Sequence, residues 1–378
     1  MNQQKVKVLQ FICSTGFYGA ERWILALAKN LPKDSVPCDL VVTIESDSED
    51  LELVKEYKKQ DIGQVFEVPM RHKFDFSVVN KLAKLIKDNG YDVIHTHGYK
   101  SDILGVLAAK KAGIRSVVTP HGFENAEDIK LRLFIWLGNK MMKYANVVVP
   151  LSKALCEDVK GFGVKHRKIE YVQNGVDLSE VEEQKVKENK LISKGDAKRI
   201  GFVGQMISRK NIHDILDIFE NLAEKHPNIT LSLLGDGESR AELEEHTKSL
   251  NHKNRIEFMG YRDDRLELLQ SFDLFVMTST LEGIPRCLME ATAMGIPVAA
   301  YNIAGVDQLI EHEKTGLLAP FGEKEILATY WEELLFDEEK AKKLSDNACA
   351  FVNENYAGKR MAKEYIDVFK QLLAGKYD

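Results

Sequence analysis

Paired cysteines, long apolar runs and an excess of one charge sign are all missing from this chain of 378 residues. The five cysteines, Cys13, Cys38, Cys156, Cys287 and Cys349, are odd in number, scattered and never spaced as Cys-x-x-Cys, which speaks against a disulfide framework or a zinc site. They read as reduced, buried thiols. No apolar run approaches the roughly 18 residues needed to cross a bilayer. Met1 to Lys7 is polar and leads straight into a strand-like segment, unlike a secretory leader, so a cytoplasmic location is the expectation. Lys and Arg number 52 against 58 Asp and Glu, a formal charge of −6, which excludes the basic footprint of a nucleic-acid-binding domain. A repeat of fixed short period is also absent.

What is present is a soluble globular balance, 44% hydrophobic and 29% charged. The length exceeds one ordinary core of roughly 100 to 200 residues, so two domains are expected. Short β-branched runs at Val6–Cys13, Leu40–Ile44, Gln64–Val68, Val93–His95, Ser116–Thr119 and Val147–Pro150 are separated by helical patterns. This alternation is the mark of βαβ units and a doubly wound parallel sheet. The rhythm restarts after the charged stretch Glu180–Asp196, with strands expected at Arg199–Val203, Thr230–Leu234, Arg255–Phe258, Leu274–Met277 and Val298–Tyr301. The boundary is placed near residue 185, giving domains 1–185 and 186–356, and from Glu323 onward only helices are expected. In such open α/β sheets ligands sit outside the carboxyl ends of the strands, so functional residues should follow strands.

One segment satisfies that filter with chemistry attached. The strand Leu274–Met277 leads through Thr278-Ser279-Thr280-Leu281 into Glu282-Gly283-Ile284-Pro285-Arg286, followed by Glu290 and Gly295-Ile296-Pro297. Pro285 suits the first helical position, Gly295 a left-handed C-terminal cap, and Pro297 a stop, so a helix of about ten residues is expected. Its first turn offers free N–H groups and the positive end of a dipole, which suit a diphosphate. Glu282 and Glu290 are spaced so that they can bracket one ligand from different depths, and carboxylates accept hydrogen bonds from sugar and ribose hydroxyls, each worth about 1.5 to 3 kcal/mol. An ordinary crossover with a solvated loop glutamate and a solvated helix glutamate reads the same residues equally well.

Thr280 to Pro285 and Glu290 to Val298, with Gly305 and Lys314 to Leu318 beyond them, resemble the donor-site signature of glycosyltransferase family 4 of bacteria, retaining enzymes of the GT-B fold. The resemblance runs along nearly the whole chain. It implies two Rossmann-like doubly wound domains facing across a cleft, with the C-terminal helix, 357–378, packing back on the first. It also implies ribose contact for Glu290, sugar contact for Glu282, and backbone contact to sugar or diphosphate from Gly283, Ile284, Pro285 and Arg286. Leu288 and Met289 fall to the core. Where the family places an Arg after the first strand of the second domain, this chain has Gln205; Lys210 matches the expected lysine, with Arg209 or Arg286 supplementing it at the phosphates. Leu234-Gly235-Asp236 and Gly260-Tyr261-Arg262 match loops lining the base, so Gly235 and Tyr261 join the donor-site candidates.

In the first half, Ser14 to Arg22 follows the first strand, and the family uses this loop near the phosphates and the acceptor. Gly16 is the stronger candidate there and Gly19 an acceptor-side one, although a tight strand-to-helix turn needs no ligand. His95, His97 and His121 follow strands; His121 matches a family position near the reacting centre, with His97 second. The resemblance implies transfer of a hexose or N-acetylhexosamine from a nucleotide sugar, UDP by family frequency, to a glycan or lipid-linked acceptor of a bacterial surface polysaccharide. No cofactor, metal or covalent protein nucleophile is expected, and Asp47-Ser48-Glu49-Asp50 reads as a solvated loop. Asp128–Tyr144 mixes Trp136 and Leu137 with Lys140 and Lys143, the composition of a crossover helix or of one resting on a membrane surface. Two rivals stand: another GT-B activity, such as an epimerase or phosphorylase, and a non-catalytic binder of nucleotide sugars, for which Gln205 is the motive.

Overall fold

The structure is a computed structural model and describes residues 5–14, 16–45, 50–72, 75–122, 129–187 and 197–378, without the side chains of residues 129–131, 133 and 134. The chain runs β1 (Val8–Ile12), α1 (Gly19–Asn30), β2 (Cys38–Ile44), α2 (Glu52–Lys59), β3 (Val65–Pro69), α3 (Ser77–Asn89) and β4 (Val93–His97). It continues through α4 (Tyr99–Ala112), β5 (Arg115–Val118), α5 (Ile129–Met141), β6 (Val147–Val148), α6 (Lys153–Gly161), α7 (Ser179–Lys185) and β7 (Lys198–Val203). Then follow α8 (Ile212–Lys225), β8 (Ile229–Leu234), α9 (Arg240–Thr247), β9 (Ile256–Gly260), α10 (Arg265–Gln270), β10 (Leu274–Met277) and α11 (Arg286–Met294). The chain ends with β11 (Val298–Asn302), β12 (Leu317–Pro320), α12 (Lys324–Phe336), α13 (Glu338–Tyr356) and α14 (Gly358–Leu373).

Two compact units result: Met1–Asp177 together with Gly358–Asp378, and Leu178–Ala357. The division falls ahead of α7, whose Gln184 bonds Gln270 of α10 and whose Lys185 bonds the Ala293 carbonyl of α11. Each unit holds one six-stranded sheet, in the orders β3-β2-β1-β4-β5-β6 and β12-β11-β10-β7-β8-β9. Every pairing is parallel. The two orders are the same winding, so each has a switch point beside its first strand, β1 against β4 and β7 against β10. There successive crossovers leave in opposite directions and open a crevice at the carboxyl ends. Strand β12 was not expected: Leu317–Pro320 is four residues long, at a sheet edge, and ends in a proline.

The period-2 alternation of a strand assigns the core of the first unit. Val8 and Ile12 face Trp23, Ile24 and Leu27 of α1 and Tyr365, Phe369 and Leu372 of α14. Leu9 and Phe11 face α3 and α4 through Val78, Leu82, Leu104 and Ala108. Gln10 lies on the α1 side, fully buried between Val8 and Ile12 in a strand whose other residues are apolar. In the second unit Ile200, Phe202, Leu231, Leu274 and Val276 pack on Phe219 of α8 and Trp331 of α12. Burial of each such large side chain contributes about 1.5 to 3 kcal/mol, which makes the strand ends fixed mounts for the loops that follow. Cys38 is buried and the other four cysteines are half-buried, all of them free thiols. The loop 47–49 lies outside the described residues.

Candidate functional site

In the second unit the switch-point loops gather the acidic pair. Helix α11 starts at Arg286, one residue later than expected, because Pro285 is extended (φ −70°, ψ 119°) and its carbonyl accepts from the Leu288 and Met289 amides at 3.1 and 3.2 Å. Proline therefore caps the helix rather than opening it. Gly295 closes it in the left-handed conformation (φ 82°). Leu288 and Met289 are buried.

Glu282 precedes the helix with its carboxylate 6% exposed. One oxygen accepts from Lys210 Nζ, and the other accepts from Arg209 Nη1 at 3.1 Å. Lys210 sits in a short 3-10 turn, Ser208–Lys210, after β7, and its side chain is buried. The Thr280 amide donates to the Arg209 carbonyl (2.8 Å) and the Thr278 hydroxyl to the Asn211 carbonyl (2.9 Å), stitching this turn to the Glu282 loop. Burial raises the Glu282 carboxyl, but Lys210 and Arg209 more than offset this, and it lies below its ordinary value. Gly305 clamps the loop from behind: at φ 92°, a Cβ there would lie 1.6 Å from the Gly283 carbonyl oxygen. Gly283 itself faces open space, with nothing within 4 Å of a Cβ position.

Glu290, in the middle of α11, is 3% exposed. Its Oε1 accepts from Arg286 Nε at 2.8 Å and from Arg265 Nη2 at 3.1 Å, while Oε2 accepts no hydrogen bond among the described residues. Burial raises this carboxyl too, and the two guanidiniums more than offset it, so it stays ionised. Arg265 also bonds Glu180 of α7 (3.3 Å). Lys210, Arg209, Arg286 and Arg265 thus stand against Glu282, Glu290 and Glu180, four cations to three anions, a local charge of +1. Arg286 is engaged by Glu290 rather than directed freely at a phosphate. Ile284 is half-buried and Gln205 exposed.

The flanking loops interlock through backbone. Gly235 N–H donates to the Gly260 carbonyl (2.8 Å), and a Cβ on Gly235 (φ 132°) would lie 1.8 Å from the Gly204 carbonyl oxygen, so packing alone requires this glycine. Tyr261 follows, 73% exposed, a free aromatic face beside this ring of loops.

In the first unit, His95 and His97 project from the same face of β4 because they are two residues apart, with Thr96 on the other side. His97 Nδ1 meets His121 Nε2 at 3.1 Å, and His97 Nε2 meets Gln10 Oε1 at 2.7 Å. His95 Nε2 meets the Thr119 hydroxyl at 2.8 Å, which in turn meets Tyr365 OH at 2.8 Å. The Trp23 ring packs edge-on against His121, centroids 5.1 Å apart. Burial holds His95 and His97 well below the usual imidazole range and brings His121 down to about 3, so the three rings are neutral near pH 7. Across β4, Thr96 donates to Asp102 (2.6 Å), whose carboxyl burial pushes up to about 8. Glu21 accepts from the Ser14 hydroxyl (2.8 Å) and from the Tyr18 amide (3.0 Å). Gly16 lies beneath the Tyr18 ring, and Gly19 begins α1 in open space.

The structure therefore brings Glu282, Lys210 and Arg209 into one cluster, Glu290 and Arg286 into a second, and His97 and His121 into a third. Sequence reading missed Arg265, Gln10, Trp23 and Tyr365. Gln10 carried a signal, the one polar residue in VLQFI; Arg265 carried none. Among the described residues no group of three or more His, Cys, Asp or Glu side chains is placed to hold a metal ion, and no helix is long and apolar enough to cross a membrane. On α5 and the turn after it, Trp136, Leu137 and Tyr144 are exposed, and Lys143 lies 4.9 Å from the Tyr144 ring centroid.

Two doubly wound units with the same strand order are the architecture of the GT-B class, and the second carries a charged cluster at a helix start. The profile described as Glycosyltransferase Family 4 matches residues 17–180, and that described as Glycosyl transferases group 1 matches residues 183–350. This chain belongs to the family-4 glycosyltransferases. It is 31% identical over 259 residues, 65% of this chain and 66% of the relative, to the UDP-Gal:alpha-D-GlcNAc-diphosphoundecaprenol alpha-1,3-galactosyltransferase of Escherichia coli. It is 25% identical over 318 residues to the N-acetyl-alpha-D-glucosaminyl L-malate synthase of Bacillus anthracis, 82% of this chain and 81% of that one. In fold it matches HepE of Anabaena, crystallised with UDP, with a TM-score of 0.81 at 22% identity over 97% of this chain and all of that one.

Proposed function

We propose that this enzyme transfers a hexose or N-acetylhexosamine from a UDP-sugar, with retention of anomeric configuration, to a glycan or lipid-linked glycan acceptor of a bacterial surface polysaccharide. The observation that carries this reading is Glu290: buried, ionised, held through one oxygen by two guanidiniums, with its other oxygen left to accept ribose hydroxyls. Lys210, Arg209 and the amides at the start of α11 supply positive potential for the departing diphosphate, worth most where water is excluded. In the proposed step the bond from the anomeric carbon to the phosphate oxygen breaks and its electron pair leaves with the diphosphate. The acceptor hydroxyl attacks from the same face and passes its proton to a diphosphate oxygen. Glu282 orients Lys210 and contacts the sugar, His121 hydrogen-bonds near the reacting centre, and Tyr261 stacks on the base. No step passes through a metal or a covalent protein adduct.

A uracil-sugar panel screened by thermal shift, followed by product NMR with a lipid-linked acceptor, tests the reading. Stabilisation by one UDP-sugar and an α-linked product from its α-donor are expected. Binding without transfer or hydrolysis across a broad acceptor panel would leave a nucleotide-sugar binder instead. For lipid-linked acceptors we place the membrane against Trp136, Leu137 and Tyr144; liposome flotation unchanged by Lys140→Glu with Lys143→Glu would remove that contact.

A further inference from the structure

The buried Gln10 is costly where it stands. A side-chain amide enclosed among apolar residues is destabilising unless its hydrogen bonds are met, and β1 is otherwise apolar. Its amide nitrogen donates to Cys38 Sγ at 3.4 Å, and its oxygen faces His97 Nε2 at 2.7 Å. An amide oxygen only accepts, so the proton between them belongs to His97 Nε2. A neutral imidazole carries one N–H, which leaves His97 Nδ1 bare and acting as acceptor. The 3.1 Å contact with His121 Nε2 is then filled by the His121 proton. His121 Nδ1, which has no hydrogen bond among the described residues, is left as a lone pair. Trp23 packed edge-on at 5.1 Å holds the ring in that attitude. Reversing the Gln10 amide would reverse every proton in this row and place an N–H at His121 Nδ1.

We infer that Gln10 is a positioning residue which, through His97, fixes the tautomer of His121 so that Nδ1 is presented as a hydrogen-bond acceptor for a substrate hydroxyl. This rests on the role given to His121 above, but the proton arrangement is a property of the protein alone and is measured without substrate. A chain of two neutral imidazoles and one amide transmits orientation with no net charge, which suits a site beside a forming cationic sugar. The group recognised is an O–H donor, the hydroxyl of the acceptor or of the transferred sugar, and not a carbonyl or phosphate oxygen, which would need an N–H.

Long-range 1H–15N correlation of protein labelled with 15N-histidine reads each ring's tautomer, with His97→Gln and His121→Gln variants assigning the signals. Wild type should show both His97 and His121 protonated at Nε2 and bare at Nδ1. Gln10→Met should leave His121 in mixed tautomers and lower kcat about tenfold, the scale of losing an outer partner, with donor KM within twofold. A wild-type His121 protonated at Nδ1, or a Gln10→Met spectrum identical to wild type, overturns the inference. If Gln10→Met fails to fold, the wild-type spectrum still decides. Full transfer activity in His121→Gln with the expected tautomers in wild type would instead sink the catalytic role of His121 and leave the lock standing.

Discussion

In the first unit His95, His97 and Asp102 are buried and His121 half-buried, all without an ion pair among the described residues, whereas in the second the side chains of Lys210, Glu282 and Glu290 are buried in pairs. Both groups occupy the carboxyl ends of strands at a switch point, yet their charge states differ. Desolvation discharges an ionisable group that has no partner: the imidazoles fall below their usual range and the Asp102 carboxyl rises to about 8. With a cation at hydrogen-bond distance the same burial leaves a carboxylate ionised, as at Glu282 and Glu290. Two identically wound sheets thus provide one neutral hydrogen-bonding surface and one charged cluster.

The largest test of this contrast is Lys210→Met, which leaves Glu282 buried against Arg209 alone. Breaking a buried pair from one side costs about 3 to 5 kcal/mol, so denaturant unfolding should show a loss of that order, largely recovered by adding Glu282→Gln. An unchanged midpoint would mean the pair is not what keeps the carboxylate charged. Next, Glu282→Ala should reduce transfer efficiency about 10- to 100-fold, equal to roughly 1.4 to 2.8 kcal/mol; activity within twofold of wild type would refute its part in the donor site.

Asp102 probes the neutral side. Unfolded, its carboxyl loses a proton near pH 4, but folded it keeps the proton up to about 8. The folded state therefore holds the extra proton through this window, and stability falls as pH rises through it, by at most about 1.4 kcal/mol per pH unit. Asp102→Asn removes the effect while keeping an acceptor for Thr96, so melting curves should show the variant gaining on wild type from pH 5 to pH 8. A constant difference would show that Asp102 is ionised in the fold. The smallest expected effect is none: with His121 near 3, the pH–rate profile between 5 and 8 should lack a limb from this imidazole. A limb near 6.5 that disappears in His121→Gln would place a charge where the neutral reading has none.

Much of this was legible in the chain. Five of the second unit's strands and all six of the first were marked by β-branched runs between helical patterns, while β12, Leu317–Pro320, was too short and proline-ended to show period 2. The caps of α11 were visible as Pro285 and Gly295, although only the extended ψ of Pro285 revealed it as the cap itself. His95 and His97 were visible as strand-end histidines. Their partner Gln10 looked like an interruption in an apolar run, and only its proximity to His97 gives that interruption a reason.

The sequence by itself determined the local order: alternating strand and helix periods, the cap residues, the two-residue spacing that puts both histidines on one face, and the carboxylates flanking a helix start. These depend on neighbours along the chain and on backbone geometry. Tertiary structure decided which group meets which and in what charge state. Arg265 reaches Glu290 from 25 residues away, and Lys210 reaches Glu282 from 72 residues away. The second pair arises when parallel crossovers bring the ends of β7 and β10 side by side, the first where the start of α10 meets α11, and no local pattern records either. Burial is likewise a property of the packed whole, and it is burial, opposed or unopposed by a counter-ion, that makes one strand-end cluster charged and the other neutral.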